Sequence, residues 1–239
     1  MKIISIATLI VISCLSVDAQ DLQTVLNKNS AALGLDARKT LTNLHSSGHF
    51  IMNGTETKIP FTLIQAKPDK LRIETTVFGF RAIQTYDGTN AWSLSFTQGI
   101  EAVKTDPRNM EFIAAATAID GPFSVNKNNK YLLKYIGSDT YQEKPVEIIM
   151  WSSREERLIY YINSENWLVD GVRYEYHKNG GWYSMEYRIK SYRDFLGTMF
   201  PKEVSALKNG VEMVSLFVTH QEIPDSPDGS KFGKPSFTM

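Results

Sequence analysis

The sequence predicts a mainly β protein: one large, strongly curved antiparallel sheet, closed or nearly closed into a barrel, with helices against its concave face. Three observations predict it. About a dozen segments alternate apolar and polar residues with the two-residue period of a half-buried strand. Between them stand pairs such as Asn53-Gly54, Asp87-Gly88, Asn179-Gly180 and Asn209-Gly210, which supply the positive φ that tight hairpins demand. Aromatic residues make up 11% of the chain, and their rings suit pleated surfaces that are dry on one side. With 239 residues and 42% hydrophobic content, the chain can bury one sizeable core. Two stacked sheets in a sandwich are the alternative.

At the N-terminus, Lys2 precedes an apolar run from Ile3 to Leu15 and the small-residue ending Val17-Asp18-Ala19-Gln20. This pattern predicts a secretory signal over residues 1–19, cleaved after Ala19, and one domain over 20–239. The run is too short to span a bilayer. Cys14 is the only cysteine, so no disulfide can form within the chain, which favours a bacterial envelope protein over an animal-secreted one. The tetrad Val11-Ile12-Ser13-Cys14 also resembles the bacterial lipobox, whose cysteine is diacylated. Cys14 therefore either leaves with the signal or anchors the protein to a membrane.

Along the mature chain, Leu22, Val25, Leu26, Ala32 and Leu33 fall at helical spacing, with Asp21 as a cap and Gly34 at the C-terminal end. A second short helix is expected from an Asp36 cap through Leu41. Strands follow at 45–52, 58–67, 70–78, 80–86 and 90–97. Asp106-Pro107 then opens a third helix with Met110, Ile113, Ala114, Thr117 and Ala118 on one face, ended by Asp120-Gly121-Pro122. Strands resume at 131–138, 144–151, 157–163, 167–176, 182–193, 200–207 and 211–221. The tail over 224–239, rich in Pro and Gly, is expected to be extended and draped on the surface. The third helix argues against the sandwich, since two mutually buried sheets offer its apolar face no partner.

The 26 basic and 26 acidic residues balance, which gives nucleic-acid binding no support. The chain has no Gly-rich phosphate loop, Gly-x-Ser-x-Gly elbow or His-Glu-x-x-His pattern. His45 and His49 share a strand face, but His177 and His220 lie elsewhere, so no metal site or other cofactor is predicted. Glu155-Glu156, between Arg154 and Arg157, reads as a solvated turn. Trp182, Tyr183, Tyr187 and Tyr192 read as cross-strand packing in preference to a sugar or base platform. What remains is apolar: Phe61, Leu63, Leu71, Ile73, Val77, Ile83, Trp92, Leu94, Ile148, Met150 and Leu158 on alternating strands. These residues either fill the interior of the sheet or line a cavity within it.

An ordered set of strings resembles the bacterial outer-membrane lipoprotein-sorting family, the LolA/LolB-like proteins. They are Ala32-Leu33-Gly34, Pro60-Phe61-Thr62-Leu63, Lys67-Pro68-Asp69-Lys70-Leu71-Arg72, Tyr86-Asp87-Gly88-Thr89-Asn90-Ala91-Trp92, Asp120-Gly121-Pro122 and Gly197-Thr198-Met199-Phe200-Pro201, with a late Phe232 and Pro235. The resemblance implies an unclosed β-barrel with a helical lid and an apolar cavity that takes lipoprotein acyl chains across the periplasm. It implies no catalytic residue. The expected cavity residues are Phe61, Leu63, Leu71, Ile73, Ile83, Trp92, Leu94, Ile148 and Met150, with Met110 and Ile113 from the lid. The expected partners are lipoprotein acyl chains or another lipid, bound by a periplasmic monomer or by an acceptor anchored through Cys14. The contrasting reading is an envelope interaction or sensor module with a filled interior and exposed Tyr-rich strands; an enzyme comes third.

Overall fold

The computed structural model of the protein describes residues 17–124, 133–224 and 229–237. Cys14 and the apolar run before it lie outside the described residues. Helix α1 spans Val17–Leu33 and a four-residue 3-10 turn spans Ala37–Thr40. Six strands follow: β1 (Asn43–Met52), β2 (Lys58–Ala66), β3 (Lys70–Val77), β4 (Phe80–Tyr86), β5 (Ala91–Ser95) and β6 (Val103–Thr105). Helix α2 covers Arg108–Ala116. Seven more strands complete the domain: β7 (Lys134–Tyr141), β8 (Lys144–Ser152), β9 (Glu156–Asn163), β10 (Val169–Lys178), β11 (Gly181–Phe195), β12 (Thr198–Lys208) and β13 (Val211–Glu222).

All the strands form one 13-stranded antiparallel sheet in the order β6-β5-β4-β3-β2-β1-β13-β12-β11-β10-β9-β8-β7. The two half-meanders zip together where β1 meets β13, with Phe50 opposite Leu216. The sheet is not closed: its free edges are β6 and β7, which are consecutive in the chain. The segment joining them must therefore run from one edge to the other, and α2 lies on that route. This explains why α2 interrupts the meander, and why its apolar side chains face the sheet.

At the central seam a register shift between Ser47 and Gly48 marks a bulge. A Cβ at Gly48 would stand 1.8 Å from the Phe217 carbonyl oxygen, so this approach of β1 to β13 admits only glycine. Where Asp87-Gly88 turns the chain, Asp87 Oδ1 accepts from the Thr89 and Asn90 amides at 2.9 and 2.7 Å, an Asx turn.

Three local expectations are corrected. Asp36 does not cap a helix: its own backbone is helical and it instead pairs with Lys39 at 2.6 Å, ahead of a 3-10 turn. The third helix stops at Ala116, where the Thr117 hydroxyl bonds back to the Ile113 carbonyl at 2.7 Å. The short edge strand β6 was not expected, because three residues carry no readable alternation. Within the described part of the tail, Gly229–Phe232 forms a 3-10 turn and is not extended, and residues 229–237 pack on the sheet. Phe232 is 1% exposed, Arg72 donates to the Lys231 carbonyl at 2.8 Å and Thr85 to the Gly233 carbonyl at 2.8 Å.

Candidate functional site on the inner face

The inner face of the sheet is the one that α1 and α2 cover. On one half of it, Met110 and Ala114 of α2 pack with Leu71, Tyr86 and Ala91, and Leu63, Ile73 and Ile113 border this cluster. On the other half, Phe112 of α2 and Val25 of α1 join Ile149, Tyr160, Val172, Tyr174 and Ile189. Phe112 stacks on Tyr187 with centroids 4.7 Å apart and planes 6° apart, and on Tyr174 at 5.7 Å. Helix α2 therefore lies across the interior like a bar, resting on both halves.

Between those rests runs a floor of directly opposed residues: Ile189, Val204, Leu216, Phe50 and Ile59, contributed by β11, β12, β13, β1 and β2. A second row joins Tyr187, Ala206, Val214 and Met52. Phe50, Val204, Val214 and Leu216 are only half-buried, although they face the interior. The result is an apolar trough, open to one side and crossed by α2. Enclosed space in this state is small. A cavity of about 30 Å³ lies among Leu33, Ala116, Val172, Ile189 and Phe200, and one of about 10 Å³ among Gln65, Leu71 and Ala114. Neither has room for more than about one water molecule, and neither could enclose an acyl chain.

Several polar contacts hold the two ends of α2. Gln65 Nε2 donates to the Thr117 carbonyl and hydroxyl at 2.6 and 3.0 Å, Asp106 Oδ1 accepts from the Arg108 amide at 3.1 Å, and the Arg108 guanidinium lies 5.5 Å from the Tyr176 ring centre. Burial pushes the Tyr187 hydroxyl well above its usual range, and for Tyr174 burial and the hydrogen bond to Glu156 act in the same direction. The aromatic wall is therefore neutral at any physiological pH. Among the described residues no three His, Cys, Asp or Glu side chains converge where they could hold a metal.

The structure does not bring all the expected cavity residues together. Phe61, Leu63, Leu71 and Ile73 share the inner face, and Met110 and Ile113 are carried by α2 above it. Ile83, Trp92 and Leu94 face outward instead: Tyr86, not Ile83, is opposite the inner Leu71, and Ile83 is opposite Glu74. Ile83 and Leu94 are buried beneath Phe237 of the tail, and Trp92 lies under Lys234. Ile148 and Met150 also point outward, because the inner positions of β8 belong to Ile149 and Trp151; Ile148 packs with Tyr141, Val146 and Tyr161 on the outside. The expectation of exposed Tyr-rich strands is corrected as well. Tyr187 is covered by Phe112, and Tyr192 donates to the Val169 carbonyl at 2.7 Å. The floor residues Phe50, Val204, Val214 and Leu216 were not anticipated; the period-two alternation of β13 (Val214, Leu216, Val218) is the signal that could have found them.

An open antiparallel sheet curled about a crossing helix, with an apolar inner face, defines a LolA-like unclosed barrel, and the fold comparisons agree. A domain assigned by name to outer-membrane lipoprotein sorting from Vibrio parahaemolyticus superposes with a TM-score of 0.57 at 10% identity, over 87% of this chain and 97% of its own. A LolA superfamily protein from Nitrosomonas europaea gives 0.55 at 12% identity over 89% and 97%, and a DUF1329 family protein from Desulfovibrio piger gives 0.54 at 10% identity over 87% and 96%. No protein-family model and no curated sequence matches the chain. At these identities the likeness establishes the fold.

Proposed function

We propose that the protein binds acyl chains, of lipoproteins or of another lipid, in the trough beneath α2, and carries or receives them in the periplasm during outer-membrane lipoprotein sorting. The observation that carries this reading is the half-buried floor of Phe50, Val204, Val214 and Leu216. A monomeric domain has no packing reason to leave such a row accessible on its inner face. The energetics match the task. At about 0.8 kcal/mol per methylene, a chain of about 16 carbons costs on the order of 12 kcal/mol to hold bare in water, and a carrier must offset most of this yet still release. Helix α2 suits release, since its inward side chains include the small Ala114 and Ala115. The expected signal over 1–19, of which only 17–19 lie among the described residues as the start of α1, would supply the route to the periplasm, and Cys14 would distinguish a soluble carrier from an anchored acceptor. No transmembrane helix occurs among the described residues.

The reading is tested by extracting protein purified from its own envelope and by titration with a fluorescent fatty acid. Co-purified lipid and saturable binding are expected. Leu216→Glu should abolish binding without loss of β-sheet circular dichroism, whereas Phe217→Glu, one residue away on the outer face, should retain it. Absence of binding in the wild type would overturn the proposal.

A further inference from the structure

The apolar inner wall contains one polar pair whose hydrogen bonding is incomplete. Ser46 of β1 and Gln221 of β13 are directly opposite, and Ser46 is in turn opposite Leu63, itself opposite the inner Ile73. Both therefore face the interior, one inward-facing residue pair along from Gly48 and Val218, beside Leu63, which borders the cluster under α2. Ser46 is 4% exposed and Gln221 6%. Gln221 Nε2 donates to Ser46 Oγ at 3.4 Å, and Gln221 Oε1 is buried with no partner. A buried amide oxygen without a donor is destabilising, whereas a leucine here would continue the apolar row without that penalty. The Ser46 hydroxyl meanwhile keeps its proton for a further acceptor. An unsatisfied acceptor and an available donor thus lie side by side in an otherwise apolar wall.

Among the groups an acyl chain carries along its length, a hydroxyl satisfies both at once, since it donates one hydrogen bond and accepts another. A hydroxyl also suits either orientation of the Gln221 amide, since it can equally accept from Nε2. An ester or a bare methylene lacks the donor. We infer that Ser46 and Gln221 form a polar anchor in the trough that selects acyl chains carrying a hydroxyl over unsubstituted chains. The inference rests on the acyl-binding reading and specifies the chemistry of its ligand. The anchor lies about 20 Å along β1 from the rim at Met52, at about 3.4 Å per residue. A hydroxyl on the chain itself is therefore required, since a headgroup held at the mouth would not reach it.

The test compares palmitic acid with hydroxypalmitic acids whose hydroxyl lies near the carboxyl or in mid-chain, each displacing a fluorescent fatty acid from the full chain. At least one hydroxyl isomer is expected to bind about fivefold or more tightly than palmitic acid, the scale of one net hydrogen bond. Gln221→Leu should remove that preference, bringing the ratio of hydroxy-acid to palmitic acid affinity to about one, and Ser46→Ala, a second and smaller change, should reduce it. Palmitic acid binding as well as every isomer overturns the anchor and leaves the trough standing. A preference that survives Gln221→Leu and Ser46→Ala also overturns it. Failure of every acid to bind overturns both readings.

Discussion

The guanidinium of Arg38 lies flat over the ring of Phe200, 3.9 Å from its centre, and its nitrogens donate to Thr198 Oγ1 at 2.8 Å, to the Ile119 carbonyl at 3.3 Å and to the Met199 carbonyl. The Arg38 carbonyl accepts from Lys67 Nζ at 3.0 Å, and Lys67 in turn pairs with Asp120 at 2.5 Å. Burial lowers the Arg38 guanidinium to about 10, against the opposing influence of Tyr192 and Asp120, so it remains a cation at neutral pH. One side chain thus ties the segment after α2 to β12 at the closed end of the barrel. Arg38→Met keeps the stem against Phe200 but leaves three acceptors without their donor. It should lower the unfolding free energy from urea titration by about 2–4 kcal/mol. Arg38→Lys should recover only part of that, because one ammonium cannot serve a planar fork of three acceptors.

The approach of α1 to the barrel gives a second prediction. Gly34 has φ +65°, and a Cβ there would stand 2.4 Å from the Gly197 carbonyl oxygen. Gly34→Ala therefore meets both backbone strain and a clash with backbone, and should lower stability by at least about 1–3 kcal/mol. Gly197→Ala, also at positive φ but with open space around its Cβ, should cost less. Thermal melts of the two variants check the order.

Acid stability should depend on Glu186, a carboxylate 4% exposed on the outer face of β11. Burial alone would raise it, but hydrogen bonds from Arg188 at 2.6 Å, Tyr141 at 2.8 Å and Arg173 at 2.7 Å outweigh burial and hold it below the usual carboxylate value. A folded-state value below the unfolded 4.5 means the unfolded chain binds the proton more readily. The stabilisation is then complete above about pH 4.5 and is lost as pH falls through the lower folded value. Glu186→Gln should flatten this acid limb in a pH series of unfolding midpoints and destabilise the protein at neutral pH. The network also needs Gly171, where a Cβ would stand 2.4 Å from the Tyr141 hydroxyl, so Gly171→Ala should disturb it as well.

The tail should act as an outer clamp. Phe232 is buried, and Phe237 covers Ile83, Leu94 and Ala102 on the outer face. Truncation before residue 229 should expose this patch, raise the binding of an apolar dye and lower the melting temperature, yet leave acyl-probe affinity intact once the protein is folded. Loss of probe binding by the folded truncation would place the ligand on the wrong face.

These placements show why the fold was legible and the site only partly so. Alternation and turn pairs identify strands, and twelve of the 13 could be placed from them. Alternation says which residues of one strand share a face, but not which face is inner; that depends on register with the neighbouring strand. Ile83 and Leu94 read as interior because they are apolar, and they are apolar because the tail covers them from outside. In β8 the nearly continuous apolar run from Val146 to Trp151 offers no period with which to separate Ile148 from Ile149. The strings that carry the family resemblance converge elsewhere. Gly34, Lys67, Asp120, Thr198, Met199 and Phe200 gather about Arg38 or beside it, where they hold the closed end together. They therefore report the scaffold, while the trough is built from ordinary valines, leucines and phenylalanines that no motif marks.

An acyl chain should bind on the inner face, at its half-buried floor. Phe50 and His49 are adjacent in β1 and lie on opposite faces; His49 stacks on Phe217 outside, while Phe50 is opposite Leu216 inside. With the four native tryptophans replaced by phenylalanine, Phe50→Trp and His49→Trp each place one indole reporter. Titration with a brominated fatty acid should quench the reporter of the Phe50→Trp variant, with saturation, and leave that of the His49→Trp variant unchanged. Equal quenching of both, or quenching of the outer reporter alone, would contradict the account.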